Sequence, residues 1–104
     1  MKSPIDPFKA ISDPNRRAIL MILSQDSHTI NSIAENFEMS RPAVSKHVKI
    51  LQTAGFIHIQ NRGRERFCFL NGSGFGEIGS WMNYFDSIWK QKLQSLELQK
   101  EKEQ

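Results

Sequence analysis

Residues 40 to 66 hold six basic side chains, Arg41, Lys46, Lys49, Arg62, Arg64 and Arg66, against one acid, Glu65. That stretch carries a charge of +5 in a chain whose total is only +3. Guanidinium and ammonium groups gathered without matching carboxylates are suited to a polyanion, and the interleaved hydroxyls of Ser40 and Ser45 add donors for phosphate oxygens or base edges. Catalysis has no comparable candidate. His28 and His58 have no Cys or acid at a useful spacing, His47 reads as partly packed, and no Ser-His-Asp or Cys-His arrangement can be built. Cys68 is the only cysteine, which excludes an intramolecular disulfide and reads as a small buried hydrophobe. These residues point to a binding protein with no enzymatic activity, metal or cofactor.

Such groups need rigid elements to aim them. The run Met39 to Gly55 predicts a helix, with Ser40 as N-cap, Pro42 in the first turn and Gly55 as a left-handed residue at its end. Val44, Val48 and Leu51 form its apolar stripe, flanked by Ala43, Ile50 and Ala54; Pro42, Ser45, Lys46, Lys49 and Thr53 fall opposite. The preceding segment, capped by Thr29, places Ile30, Ile33, Ala34 and Phe37 at helical spacing, with Glu38, Met39 and Ser40 as the turn between the two. Two amphipathic helices joined in this way predict a helix-turn-helix, whose second helix presents its first residues to base edges. Earlier, Asp6-Pro7 and Asp13-Pro14 each pair an N-cap carboxylate with proline at the first helical position. Arg16 and Arg17 stand in the first turn of the second of these helices, against its dipole, so they either fold back over acids such as Asp13 or meet a phosphate.

After Gly55 the period falls to two. Ile57 and Ile59, then Phe67 and Phe69, alternate with other residues about an Asn61 to Glu65 loop, which predicts a β-hairpin with Arg62 and Arg64 at its tip and Arg66 beside it. A hairpin following such a helix is a wing, able to reach phosphates or a narrow minor groove. The run Gly74 to Gly79 spells G-x-G-x-x-G, but no βαβ unit follows, so the glycines read as a loose helix start or a close approach of two backbones. From about residue 75 onward, Ile78, Trp81, Met82, Phe85, Ile88, Trp89, Leu93 and Leu96 form a long apolar stripe. It predicts self-association through Ile78, Trp81, Phe85, Ile88 and Trp89, the alternative being a helix folded back on its own domain.

The fold class expected is mainly α with a small β-hairpin: one winged helix-turn-helix domain over residues 1–104, with the helix-turn-helix at about 30–54, the wing at about 56–70 and a dimerisation helix at about 75–99. The longest wholly apolar run, Ala18 to Leu23, is far shorter than the roughly 18 residues a membrane span needs, and no apolar signal follows the N-terminus. A cytoplasmic protein without a membrane partner is expected.

Assembled, the segments Phe8 to Leu20, Ser40 to Gly55 and Arg62 to Arg64 resemble the opening helices, recognition helix and wing of the ArsR (arsenic-repressor) family of bacterial winged-helix repressors. The resemblance implies a homodimer joined by terminal helices that binds a pseudo-palindromic DNA operator. It is nearest the branch without metal sites, whose last helix carries a Trp81, Tyr84 or Phe85, and Trp89 pattern. Metal-sensing members carry a Cys-x-Cys pair near the first helix of the motif, or His and carboxylate ligands on the terminal helix; this chain has neither Cys nor His between Thr29 and Phe37 and no His after His58. The expected assignments are Arg41, Ser45 and Lys46 near base edges, Ser40 and Lys49 on the DNA backbone, and Arg62, Arg64 and Arg66 on the flanks. An unknown small molecule or protein is a possible effector. The competing expectation is a winged helix that docks a protein through its Trp-bearing helix and never touches DNA.

Overall fold

The computed structural model describes residues 5–103; Met1 to Pro4, Gln104 and the side chains of residues 101–103 lie outside that description. Helices α1 (Pro7–Ala10) and α2 (Pro14–Leu23) lead into a two-residue strand β1 (His28–Thr29) and helix α3 (Ile30–Ala34). Helix α4 (Arg41–Thr53) follows, then the hairpin β2 (Ile57–Arg62) and β3 (Glu65–Leu70), a 3-10 turn (Gly72–Phe75) and the long helix α5 (Gly76–Glu103).

All four N-caps expected from the sequence form. The Asp6 carboxylate accepts from the Phe8 N–H at 2.9 Å, Asp13 from Asn15 at 2.8 Å and Arg16 at 3.2 Å, Thr29 from Ser32 at 3.1 Å and Ser40 from Ala43 at 3.3 Å. Each satisfies a donor that the first turn of a helix leaves unpaired. At the other end of α4, Gly55 adopts φ +92°. The Phe56 N–H then reaches Leu51 O at 2.9 Å and the Gly55 N–H reaches Gln52 O at 3.0 Å, the paired bonds of a Schellman ending.

Two boundaries differ from the sequence reading. Helix α3 stops at Ala34 and not near Phe37, because the backbone tightens: the Asn36 and Phe37 N–H groups bond three residues back, to Ile33 and Ala34, while the Asn36 side chain caps the Ser32 and Ile33 carbonyls. Phe37 still packs against the core from the connecting segment. The hairpin loop is also shorter than Asn61 to Glu65, since Arg62 pairs with Glu65 and only Gly63 and Arg64 turn. Gly63 has φ +63° and Arg64 does not have a positive φ, so glycine supplies the left-handed first position that matches a two-residue turn to strand twist.

The sheet has the order β1-β3-β2 and is antiparallel throughout, with His28 opposite Cys68, and Ile57, Ile59 and Asn61 opposite Leu70, Cys68 and Arg66. One face of it closes a core in which Ile19, Ile33, Val44, Leu51, Phe56 and Cys68 have no exposure. The chain then turns onto α5 at a tight junction. A Cβ on Gly74 would lie 2.2 Å from the Gly55 carbonyl oxygen, so this glycine marks the close backbone approach that the sequence allowed. Phe75 packs its ring edge-on against Phe56 beside that contact, with centroids 4.7 Å apart.

Helix α5 spans 28 residues, about 42 Å at 1.5 Å each. Its beginning belongs to the core: Ile78 is 7% exposed and packs within the same chain. Ile78, expected at the dimer interface, thus packs within its own chain. Trp81 leans on α1 with its ring 5.5 Å from that of Phe8, yet remains 54% exposed. From Trp89 to residue 100 every side chain is exposed.

Candidate nucleic-acid interface

Helix α4 is fixed from beneath by its stripe. Val44, Val48 and Leu51 are buried against the rest of the domain, which leaves Pro42, Lys46 and Lys49 exposed on the outward side and Ser45 half-buried at the shoulder. The wing rises beside it. Opposed residues of an antiparallel pair share a sheet face, so Arg66, opposite Asn61, projects on the same face as Ile59 and Cys68, the face turned toward α4.

Two adjoining clefts result. Thr29, Ile30 and Asn31 at the start of α3, Arg41 and Ser45 on α4, and Arg64, Glu65 and Arg66 on the wing line a space of about 260 Å³. A shallower one of about 110 Å³ runs on past Ser45, Lys49, Gln52 and Arg66. The structure therefore brings Arg41, Ser45, Lys49, Arg64 and Arg66 around one continuous concavity, and Lys46 stands exposed on α4 outside its lining. Among the described residues, none of Arg41, Lys46, Lys49, Arg62, Arg64 and Arg66 forms an ion pair with a carboxylate. Ser40 lies at the N-terminal edge, its oxygen engaged as the cap of α4.

Arg62 is elsewhere. It shares the reverse face of the sheet with Gln60 and His58, and its guanidinium lies over the rings of Phe67 and Phe69, 5.5 Å and 5.2 Å from their centroids. Cation–π contact holds it there. Period-two alternation contains this result, since Arg62 and Arg66 occupy opposite phases once the register is known, but the register itself is a product of the short turn.

Sequence reasoning missed Asn31. Its side-chain oxygen accepts a hydrogen bond from Nε of Arg41, tying the start of the recognition helix to the start of α3. The only signal was an exposed amide near the first helix of the motif, and no periodicity connects it to Arg41.

Arg16 and Arg17 turn inward to the backbone. Arg16 donates from Nε to Ala10 O at 2.6 Å and from Nη2 to Lys9 O at 3.3 Å, and its Nη1 lies 3.3 Å from His47 Nδ1 and 3.9 Å from Asp13 Oδ2. Arg17 donates to Ile11 O at 2.8 Å. Both clasp the carbonyl end of α1, which supplies the favourable dipole contact that their own helix denies them. His47 is thus part of a brace between α4 and α2, as its shoulder position on the helix suggested. Asp13 feels the same cluster. Desolvation pushes its carboxyl pKa up, but the Arg16 and Asn15 N–H donors and the charges of His47 and Arg16 outweigh this and hold it below the ordinary value.

Residues 13–58 match the sequence model of the bacterial regulatory protein, arsR family. Transcriptional repressor SdpR of Bacillus subtilis is 40% identical over 78 residues, covering 75% of this chain and 87% of that protein. The chain belongs to the ArsR family of bacterial regulatory proteins. HTH-type transcriptional regulator Rv2034 of Mycobacterium tuberculosis is similar over more of it, 31% identical across 92 residues that cover 88% of this chain and 83% of the relative. The crystal structure of an ArsR family transcriptional regulator superposes with a TM-score of 0.72 at 32% identity, over 81% of this chain and 92% of that one. A homodimeric winged helix-turn-helix DNA-binding domain from Mycobacterium bovis shares the fold, with a TM-score of 0.63 at 18% identity over 78% of this chain and 75% of its own. This ArsR-family regulator is therefore a winged helix-turn-helix protein, mostly helical, with a third strand added to the hairpin that the sequence foretold.

Proposed function

We propose that this ArsR-family regulator is a homodimeric transcriptional repressor that inserts α4 into the major groove of a pseudo-palindromic operator, with the wing against the flanking backbone. The observation that carries the reading is the concavity lined by Arg41, Ser45, Lys49, Arg64 and Arg66, whose basic groups have no carboxylate partner among the described residues. Unpaired cations on a rigid helix and an adjoining ribbon offer the charge and shape that phosphates flanking a groove require. In this reading Arg41, Ser45 and Lys46 approach base edges, and Ser40, Lys49, Arg64 and Arg66 hold the backbone. Arg62 contributes only from the outer side of the ribbon. The names of SdpR and of the homodimeric M. bovis domain support repression and pairing.

Pairing uses the aromatic stripe of α5. Trp81, Phe85 and Trp89 are 54%, 48% and 60% exposed, and Ile88 lies half-buried between them. Large aromatics in that number on one helix suit a desolvated interface. Two-fold symmetry then sets the paired α4 helices about 34 Å apart, one turn of duplex.

We propose no metal or cofactor for this activity. Release from DNA is left to a small molecule, a protein or the concentration of the regulator itself. No described helix is long and apolar enough to cross a membrane, and we place the protein in the cytoplasm with its DNA.

Titration of the full chain against duplex DNA at several salt concentrations tests the reading. Binding should be sequence-selective, with a steep log–log salt dependence, and Lys49→Ala should flatten that slope by about one unit. Absence of salt-dependent duplex binding would reject the DNA reading and favour the protein-docking one.

A further inference from the structure

We propose that Asn31 is a positioning residue for base readout: its side-chain oxygen, by holding Nε of Arg41, restricts that guanidinium to presenting one edge, Nη1–Nη2, to a guanine. The inference rests on the DNA-binding reading above and extends it to a residue outside the recognition helix.

Three observations bear on it. Arg41 is the first residue of α4, where the partial positive charge of the helix end disfavours a cation, and among the described residues no carboxylate offsets this. Its Nε donates to the side-chain amide oxygen of Asn31, from a different helix ten residues away. Both residues line the cleft between α4 and the wing, with Ser45 and Arg66 on its other sides.

The chemistry follows from the shape of the group. A guanidinium has five N–H donors in one plane and two edges that can engage a pair of acceptors. The edge containing Nε is taken by Asn31, so Nη1 and Nη2 together remain. That edge matches the O6 and N7 acceptors of guanine in the major groove, whereas adenine offers N7 beside an N6 donor and breaks the match. A freely rotating arginine at the same place could satisfy phosphates in many poses; one fixed by Asn31 is constrained toward a bidentate contact. Asn31 therefore acts on sequence preference more than on overall attraction to DNA.

The test selects binding sites from a randomised duplex pool with the wild-type full chain and with Asn31→Ala, Asn31→Asp and Arg41→Ala. Thermal unfolding of each checks that the exposed Asn31 can be replaced without loss of fold. Arg41→Ala should erase the preference for guanine at one base pair in each half-site. Asn31→Ala should weaken that preference about fivefold to tenfold and leave the other positions unchanged. Asn31→Asp, which still accepts from Nε, should retain the preference while lowering affinity at every site through its added negative charge. A wild-type protein that selects nothing would defeat the DNA-binding reading and this inference with it. A selective wild type whose guanine preference survives Asn31→Ala, or never depended on Arg41, would defeat this inference alone.

Discussion

Helices α4 and α5 both carry an apolar stripe, but they use it differently. On α4 the stripe is short and buried: Val44 and Leu51 have no exposure, Val48 has 1%, and the opposite side is left for a polar partner. On α5 only Ile78 reaches the core, and Trp81, Met82, Tyr84, Phe85, Trp89, Leu93 and Leu96 remain 41% to 62% exposed. The same residue classes at similar spacing thus stabilise the protomer in one helix and present surface in the other. What separates them is whether the rest of the chain lies over the stripe. Helix α4 has α2, α3 and the sheet around it, whereas α5 runs out from the domain after its first turns.

The contrast can be broken most decisively at Leu51. Leu51→Ala leaves a cavity beneath α4 and should cost about 3 kcal/mol, seen as a fall in the chemical denaturation midpoint that does not depend on protein concentration. At the junction between the two regions, Gly74→Ala would drive a Cβ into the Gly55 carbonyl; about 2 kcal/mol is the expected loss, by the same measurement. An unchanged midpoint would mean that the junction relaxes freely and that α5 is not anchored there.

Trp89→Ser should leave the protomer's secondary structure intact and weaken pairing by about 2 kcal/mol, read by sedimentation equilibrium. If the variant sediments like the wild type, α5 beyond its first turns is not the interface. Smaller still is the cap of α4, where Ser40→Ala should cost about 1 kcal/mol in denaturation. A larger drop in duplex affinity than this predicts would assign the Ser40 hydroxyl a DNA contact besides its cap.

The smallest effect is one of pH. Asp13 has a folded pKa below its unfolded value of about 3.9, so the carboxylate contributes stability that is fully present above that value and is lost as pH falls through the folded pKa. Asp13→Asn, which retains an acceptor for the α2 cap, should flatten the acid end of the stability curve. Identical curves below pH 4 would remove the Asp13, Arg16 and His47 cluster from the account of acid stability.

Most of α4 was legible because its signals are local. Ser40, Pro42, the Val44, Val48 and Leu51 stripe and Gly55 each act within one turn of the residues they affect, so spacing along the chain already states the geometry. The wing was legible as a hairpin and not as an orientation. Alternation left Arg62 and Arg66 alike off the Ile57, Ile59 and Phe67, Phe69 phase, and only the Gly63–Arg64 turn and its register turned Arg66 toward α4 with Ile59 and Cys68 and Arg62 onto Phe67 and Phe69. Strand β1 escaped notice because two residues carry no period; it exists through pairing with Cys68 and Phe67, some forty residues on.

By itself, then, the sequence determined the helix N-caps, the stop of α4 at Gly55, its buried stripe and the surplus of positive charge between residues 40 and 66, since these depend on backbone preferences and on neighbours within a few positions. Tertiary structure alone decided that Asn31 holds Arg41, that Arg16 clasps α1, that Ile78 is core and that Trp89 is surface. Those outcomes require side chains distant along the chain to meet in space, and the physical reason they were out of reach is that charge and apolarity specify what a residue needs without specifying which distant residue supplies it.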